Sequence, residues 1–356
     1  MQLTKYKLGD LIVQRREKNK DYDLPIRGVS REGFIKPKVE EADTSIYNVF
    51  YKNDFVFNPA RMELNSIALN LELDKALCSS LYEVFYVKDE NVVLPEFLNL
   101  HIKRDEFARH CDYIGLGSAR EYCRFANIAE FDIKIPPIEV QREIVKADRQ
   151  IKRRIRLNEQ MIEKLEATAQ ALYRKMFVDG IDKGNLPEGW RKGTLGEMAE
   201  VSSGKTCLDK VDKKEPPYIY PVAGASGIIG YSSTYNYEEQ VLTTGRVGTL
   251  GVVNKYKDRT YMADNVLVIK SQYYEYCYQI LQQLDYNEIT KGGVQSLITQ
   301  TDLKAVEIII PDTNSLKEYE DTVLNVFKMI ETKQQENSML SELQSLLLAK
   351  MGNLKQ

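Results

Sequence analysis

The 356-residue sequence predicts an α+β protein: two related α/β domains separated by two long antiparallel coiled-coil helices, in a pseudo-two-fold tandem repeat. Three observations predict it. The chain repeats itself, two stretches free of Gly and Pro carry a 3.5-residue apolar period, and short Val-, Tyr- and Phe-rich segments lie between turns.

The repeat joins Gly117-Ser118-Ala119-Arg120 and Asn127–Pro136 to Gly292-Gly293-Val294-Gln295 and Asp302–Pro311, at one offset, 292 − 117 = 175. The offset continues ungapped: Ile151 matches Val326, Leu165 matches Leu340, and Lys175-Met176 matches Lys350-Met351. Upstream it drifts, as loops of unequal length require. Leu8-Gly9-Asp10-Leu11 resembles Leu195-Gly196-Glu197-Met198, Pro25–Ser30 resembles Pro221–Ser226, and Arg61 is matched with Arg246. The resulting boundaries are 1–135 for a first domain, 136–180 for a central helix, 181–310 for a second domain and 311–356 for a C-terminal helix.

Within the domains, Asp54–Phe57, Leu81–Val87, Glu239–Thr243 and Val266–Lys270 read as strands. Pro95–Phe107 and Gln272–Leu284 read as helices, the first opened by Pro. In the long helices the apolar positions step by 4 and 3, a coiled-coil seam. Ile151, Ile155, Ile162, Leu165 and Leu172 carry it in one, and Val326, Ile330, Leu340 and Leu347 in the other. Polar Asn158, Lys333 and Asn337 interrupt the seam. Each fully buried Leu or Ile contributes roughly 1.5–3 kcal/mol, enough to outweigh them. Matched lengths favour an intramolecular pair over helices that each pack on their own domain. About 40 residues make a rod of about 60 Å, able to hold two domains at a set distance.

Composition excludes several classes. A net charge of −3 argues against indiscriminate coating of nucleic acid. Five scattered cysteines without a CxxC pair, and two histidines, speak against a zinc site or a disulfide framework and for a reducing cytoplasm. No apolar run suits a membrane span, and no signal peptide opens the chain. Gly204-Lys205-Thr206 ends like a phosphate-binding loop, but Ala199 stands where that loop's opening Gly belongs. Asn58-Pro59-Ala60-Arg61 lacks the second Pro and the aromatic of an adenine methyltransferase motif, and Gly245–Gly251 spaces its glycines as turns. The residues supply no catalytic constellation and no metal ligand set.

Several segments together resemble the specificity subunit of type I restriction–modification systems. They are Leu186-Pro187-Glu188-Gly189-Trp190, Ser203–Thr206, Tyr220–Gly227, Thr244–Gly251 and the two Ile-x-Ile-Pro junctions that enter the long helices. The likeness covers nearly the whole chain and is strongest in the second half. It implies two target recognition domains, each reading one half of a bipartite sequence in double-stranded DNA, with the helices setting the unread spacer. It implies as partners two modification subunits, which hold S-adenosylmethionine and transfer the methyl group, and motor-nuclease restriction subunits. The chain itself would be non-catalytic and hold no cofactor, and the seam residues named above would belong to the partner-binding helices. The alternative is a coiled-coil scaffold that joins other proteins and never touches DNA.

Reading bases requires forked hydrogen bonding, Arg to guanine and Asn or Gln to adenine, with cations on phosphates. Candidates in the matched turns are Arg27, Arg31, Lys36, Arg61 and Arg120 in the first domain, and Lys205, Ser226, Arg246, Lys291 and Gln295 in the second. Gly28, Gly224, Gly117 and Gly292 are expected to let backbone amides approach phosphates. Seven basic residues in Arg142–Arg156 suit spacer phosphates, a partner subunit or plain solvation.

Overall fold

The computed structural model describes residues 3–20, 23–37, 43–115, 122–247, 250–289 and 297–352. The chain divides into two compact units, the first made of residues 1–158 and 335–356, the second of 159–334.

The first unit opens with β1 (Thr4–Lys7), the one-turn α1 (Leu8–Leu11) and β2 (Ile12–Arg15). The hairpin β3 (Gly28–Val29) and β4 (Phe34–Ile35) follows, then β5 (Asn48–Tyr51), β6 (Phe55–Phe57), β7 (Ile67–Leu69), β8 (Lys75–Cys78) and β9 (Glu83–Val87). Helices α2 (Pro95–Ile102), α3 (Asp105–Gly115) and α4 (Phe125–Ala129) lead to β10 (Asp132–Ile135), which enters α5 (Ile138–Phe177). The main sheet has the order β2-β9-β6-β7, with the chain's early and late strands side by side. β1 pairs antiparallel with β10, Thr4 facing Ile135. Phe55, Phe57, Phe85, Phe97 and Phe107 fill the core beneath this sheet, joined by Val145 of α5 and Met351.

The second unit repeats the plan. It begins with β11 (Arg191–Thr194), α6 (Leu195–Met198) and β12 (Glu200–Ser203), followed by β13 (Tyr220–Gly224), β14 (Gly227–Ser232), β15 (Val241–Gly245), β16 (Val253–Tyr256), β17 (Tyr261–Met262) and β18 (Val266–Lys270). After α7 (Tyr274–Gln283), α8 (Tyr286–Ile289) and α9 (Gln300–Lys304), β19 (Glu307–Ile310) leads into α10 (Thr313–Gly352). Its sheet order, β12-β18-β15-β16, matches that of the first unit strand for strand. β11 pairs with β19 as β1 does with β10. The parallel bridge Ile26–Leu77 recurs as Val222–Tyr261, so the Pro25–Ser30 and Pro221–Ser226 segments occupy equivalent places.

α5 and α10 are 40 residues each, and their ends keep the 175 offset, 313 − 138 and 352 − 177. They run antiparallel within each unit. In the first, Gln344 donates to Asp148 (2.6 Å), Arg154 to Glu336 (2.5 Å) and Asn158 to Asn337 (2.8 Å). In the second, Ala169, Tyr173 and Phe177 pack on Leu316, Tyr319, Val323, Phe327 and Ile330. All nine seam residues named from the sequence are buried or half-buried, and Ile162, Leu165, Leu172, Val326 and Ile330 belong to this second cluster.

Several local readings change. The helix read over Pro95–Phe107 is two helices, broken at Lys103–Arg104. Asn65 Nδ2 donates to the Ile102 carbonyl (3.0 Å), and Lys103 Nζ turns to the carbonyls of Ile67 and Arg31 (2.7 Å each). The strands read over Leu81–Val87 and Glu239–Thr243 and the helix read over Gln272–Leu284 each start two residues later, at Glu83, Val241 and Tyr274. Val266–Lys270 stands as read.

Among the described residues no helix is long and apolar enough to cross a membrane. The five cysteines are free thiols.

Candidate nucleic-acid interface

The β3–β4 hairpin presents three of the first unit's candidate cations. Arg31 is exposed in its turn and Lys36 is exposed just past β4. Arg27 is half-buried, its amide donating to Leu77 O (2.8 Å) and its guanidinium to Ile26 O (2.9 Å). Beside it the half-buried Lys103 loses solvation, and burial pushes its pKa down to about 8. Gly28 and Gly224 serve hairpin packing. A Cβ on Gly28 meets the Ile35 side chain at 3.0 Å, and one on Gly224 meets Ile229 at 2.7 Å.

Arg61 is exposed in a 3₁₀ turn, Pro59–Leu64, where its φ of −141° departs from helix. It lies four residues past the end of β6, whereas Arg246 directly follows β15. The sequence match between them therefore fails in space, because the chain leaves the two strands differently. The residue equivalent to Arg246 is Pro59: Phe57 and Thr244 face Glu83 and Leu267 in the two sheets, and the Pro59 carbonyl accepts from the Cys123 amide as the Arg246 carbonyl accepts from that of Ile298. Arg246 is half-buried; its backbone bonds Asn265 and Ile298, and its Nε is buried without a hydrogen-bond partner among the described residues.

Ser226 is exposed at the tip of the β13–β14 hairpin, and Lys205 is exposed just past β12, its amide bound to Met262 O (2.9 Å). Gly204 is there for space: a Cβ would stand 1.9 Å from the Ala263 carbonyl oxygen. With Thr206 Oγ1 donating to Asp264 (2.7 Å), Gly204-Lys205-Thr206 forms a turn tied to neighbouring backbone rather than a phosphate cradle. Arg120, Lys291 and Gln295, with Gly117 and Gly292, lie outside the described residues.

The basic run in α5 divides. Arg142 pairs with Glu139, Arg149 with Glu96, Lys152 with Asp148 and Arg154 with Glu336. Arg142, Lys146, Arg149 and Arg153 follow one helical face and line a groove of about 500 Å³ beside Glu90 and Glu96.

Sequence reading missed a cleft of about 620 Å³ in the first unit, where the end of β2 meets the start of β9. Gln14, Arg16, Asn58, Glu83 and Arg124 line it. These residues are far apart in the chain, and only the adjacency of the first and last strands gathers them.

The family model of the Type I restriction modification DNA specificity domain matches residues 4–167 and again 187–342. The chain belongs to this family. As a type I specificity subunit it carries DNA sequence specificity in two recognition domains, and it is a non-catalytic component of its complex. It is similar to the Type I restriction enzyme EcoprrI specificity subunit of Escherichia coli, 27% identical over 130 residues, 35% of this chain and 32% of that one. It is also similar to the HindI specificity subunit of Haemophilus influenzae, 20% identical across 79% of this chain and 82% of the other. The crystal structure of the type I system S subunit from M. genitalium shares the fold, with a TM-score of 0.62 at 15% identity over 98% of this chain and 96% of that one.

Proposed function

We propose that this specificity subunit reads a bipartite sequence in double-stranded DNA, one half-site per domain, with the paired long helices setting the unread spacer. One observation carries the reading. Both specificity domains build the same four-stranded sheet, while the side chains at equivalent edges differ, Pro59 against Arg246 and Arg124 against Thr299. A shared scaffold with different reading groups suits two different half-sites.

The chain docks two modification subunits, which bring S-adenosylmethionine and the pocket into which each target adenine is flipped. Restriction subunits join that core, and the complex works in the cytoplasm. Arg27, Arg31, Lys36, Arg61, Lys205, Ser226 and Arg246 contribute base or phosphate contacts from exposed and half-exposed turns. Mixing the purified chain with modification subunits tests the proposal. Adenine methylation at one discontinuous sequence, with no methylation by the chain alone, is the expected result. Assembly and methylation indifferent to DNA sequence would instead favour a scaffold.

A further inference from the structure

The cleft at the junction of β2, β9 and α4 carries a more specific assignment, one that rests on the DNA-reading role proposed above. We infer that it is where the first domain reads base edges of its half-site, with Arg16 as the principal reader, Asn58 beside it, and Gln14, Glu83 and Arg124 holding the site in shape.

The charge is concentrated. Arg15, Arg16, Lys18 and Arg124 line the cleft against one carboxylate, Glu83, in a chain whose net charge is −3. These cations have distinct roles. Arg15 is a strut: it grips buried Asp54 through two hydrogen bonds (2.6 and 3.1 Å) and lies over the Tyr51 and Tyr86 rings. Lys18 Nζ is turned onto the Ile46 carbonyl (3.0 Å). Arg16 is exposed, and among the described residues its one hydrogen bond runs from Nε to Gln14 Oε1 (2.8 Å), which leaves the terminal NH1 and NH2 donors of the guanidinium without a partner there. These are the paired donors that guanine O6 and N7 accept.

The fork is preorganised. Gln14 Nε2 donates to Glu83 Oε2 (3.0 Å), so the amide that receives Arg16 is itself fixed. Glu83 also accepts from the Phe125 amide (2.8 Å) and from Arg124 NH1 (3.1 Å). One carboxylate thus ties β2, β9 and the start of α4 together. A reader held by its neighbours loses less side-chain freedom on binding than a free surface arginine. Asn58 adds a second reading group: its Oδ1 is taken by the Ala60 amide (3.1 Å), and the Nδ2 donors remain for an acceptor.

The duplicate supports the assignment. The same corner of the second domain is tied by Gln300 Nε2 donating to Ser203 Oγ (2.8 Å), and the residue before α9 is Thr299 where the first domain has Arg124, 299 − 124 = 175. Arg246, whose buried Nε has no hydrogen-bond partner among the described residues, stands at that corner where the first domain has Pro59, the neighbour of Asn58. The corner is kept and its chemistry replaced.

The test uses the full chain assembled with its modification subunits, and compares wild type, Arg16→Ala and Arg16→Lys by methylated-site mapping and by binding to duplexes altered in one half-site. Arg16→Ala is expected to weaken cognate binding between about 5- and 150-fold and to relax one position of the first half-site, leaving the second untouched. Arg16→Lys is expected to relax the same position despite keeping its charge, because lysine has no fork. An unchanged first half-site in both variants would overturn the inference, as would full rescue by lysine, the signature of a phosphate contact. Wild type methylating no defined sequence would overturn the proposed function itself, so the two failures are separable.

Discussion

Asn158 is 2% exposed, and its Nδ2 donates to Asn337 Oδ1 at 2.8 Å in the seam between α5 and α10 of the first unit. Replacing Asn337 with Leu leaves a buried donor without an acceptor, which costs about 1–3 kcal/mol. Asn158→Ile, made alone, strands the Asn337 carbonyl group at a smaller cost, since Asn337 is only half-buried. The double variant removes both polar groups, and apolar replacement of a buried pair is roughly neutral or stabilising. The double-mutant cycle should therefore show a coupling of about 1–2 kcal/mol. The repeat sharpens the point. The positions equivalent to this pair, 158 + 175 and 337 − 175, hold Lys333 and Ile162, and those equivalent to Asp148 and Gln344 hold buried Val323 and Ala169. Polar pairs thus mark one half of the seam, which distinguishes the native register from a shifted one. Urea unfolding followed by far-UV ellipticity measures the cycle, while the single Trp190, in the second unit, reports by fluorescence that this unit is undisturbed. Additivity within about 0.5 kcal/mol would refute the reasoning.

Three other outcomes follow from the same structure. His101 is held neutral, first by burial and then by the Arg104 charge, with its pKa pushed down from 6.5 to about 4. Between those values the unfolded chain binds a proton that the folded one refuses, so the first unit should lose up to about 3 kcal/mol as pH falls from 6.5 to 4. His101→Phe should flatten that loss, and an unchanged pH profile of urea midpoints would contradict the assignment. Gly204→Ala forces a methyl against the carbonyl of Ala263 and should cost at least about 1–3 kcal/mol, read as a lower midpoint in Trp190 fluorescence; wild-type stability would show that the turn has room. If the α5 groove meets DNA phosphates, Lys146→Ala and Arg153→Ala should each make the log affinity–log salt slope shallower by about 0.9 per lost contact, and an unaltered slope would assign the groove elsewhere.

What the sequence reveals depends on how far apart the interacting residues are. The long helices were legible because their seam positions repeat at 4 and 3, and Val266–Lys270 because a fully buried strand is a continuous apolar run. The break at Lys103–Arg104 left a faint trace. The run Lys103-Arg104-Asp105-Glu106 places cations at one helix end and carboxylates at the next beginning, the order helix dipoles favour. The bond that makes the break, from Asn65 to Ile102, crosses 37 residues and has no local signature. The base-reading cleft was illegible for the same reason: Gln14, Asn58, Glu83 and Arg124 meet only because β2 lies beside β9 and β9 beside β6. Matching Arg61 to Arg246 went wrong where the two domains leave equivalent strands by different turns, the place where a sequence offset carries least structural information.

The central claim divides the labour between domains that read and helices that space. Inserting four residues into both 157–168 and 332–343, about one helical turn in each rod, and mapping the methylated adenines tests it most directly. A longer unread spacer between unchanged half-sites is the predicted result; half-sites that change with the insertion would contradict it.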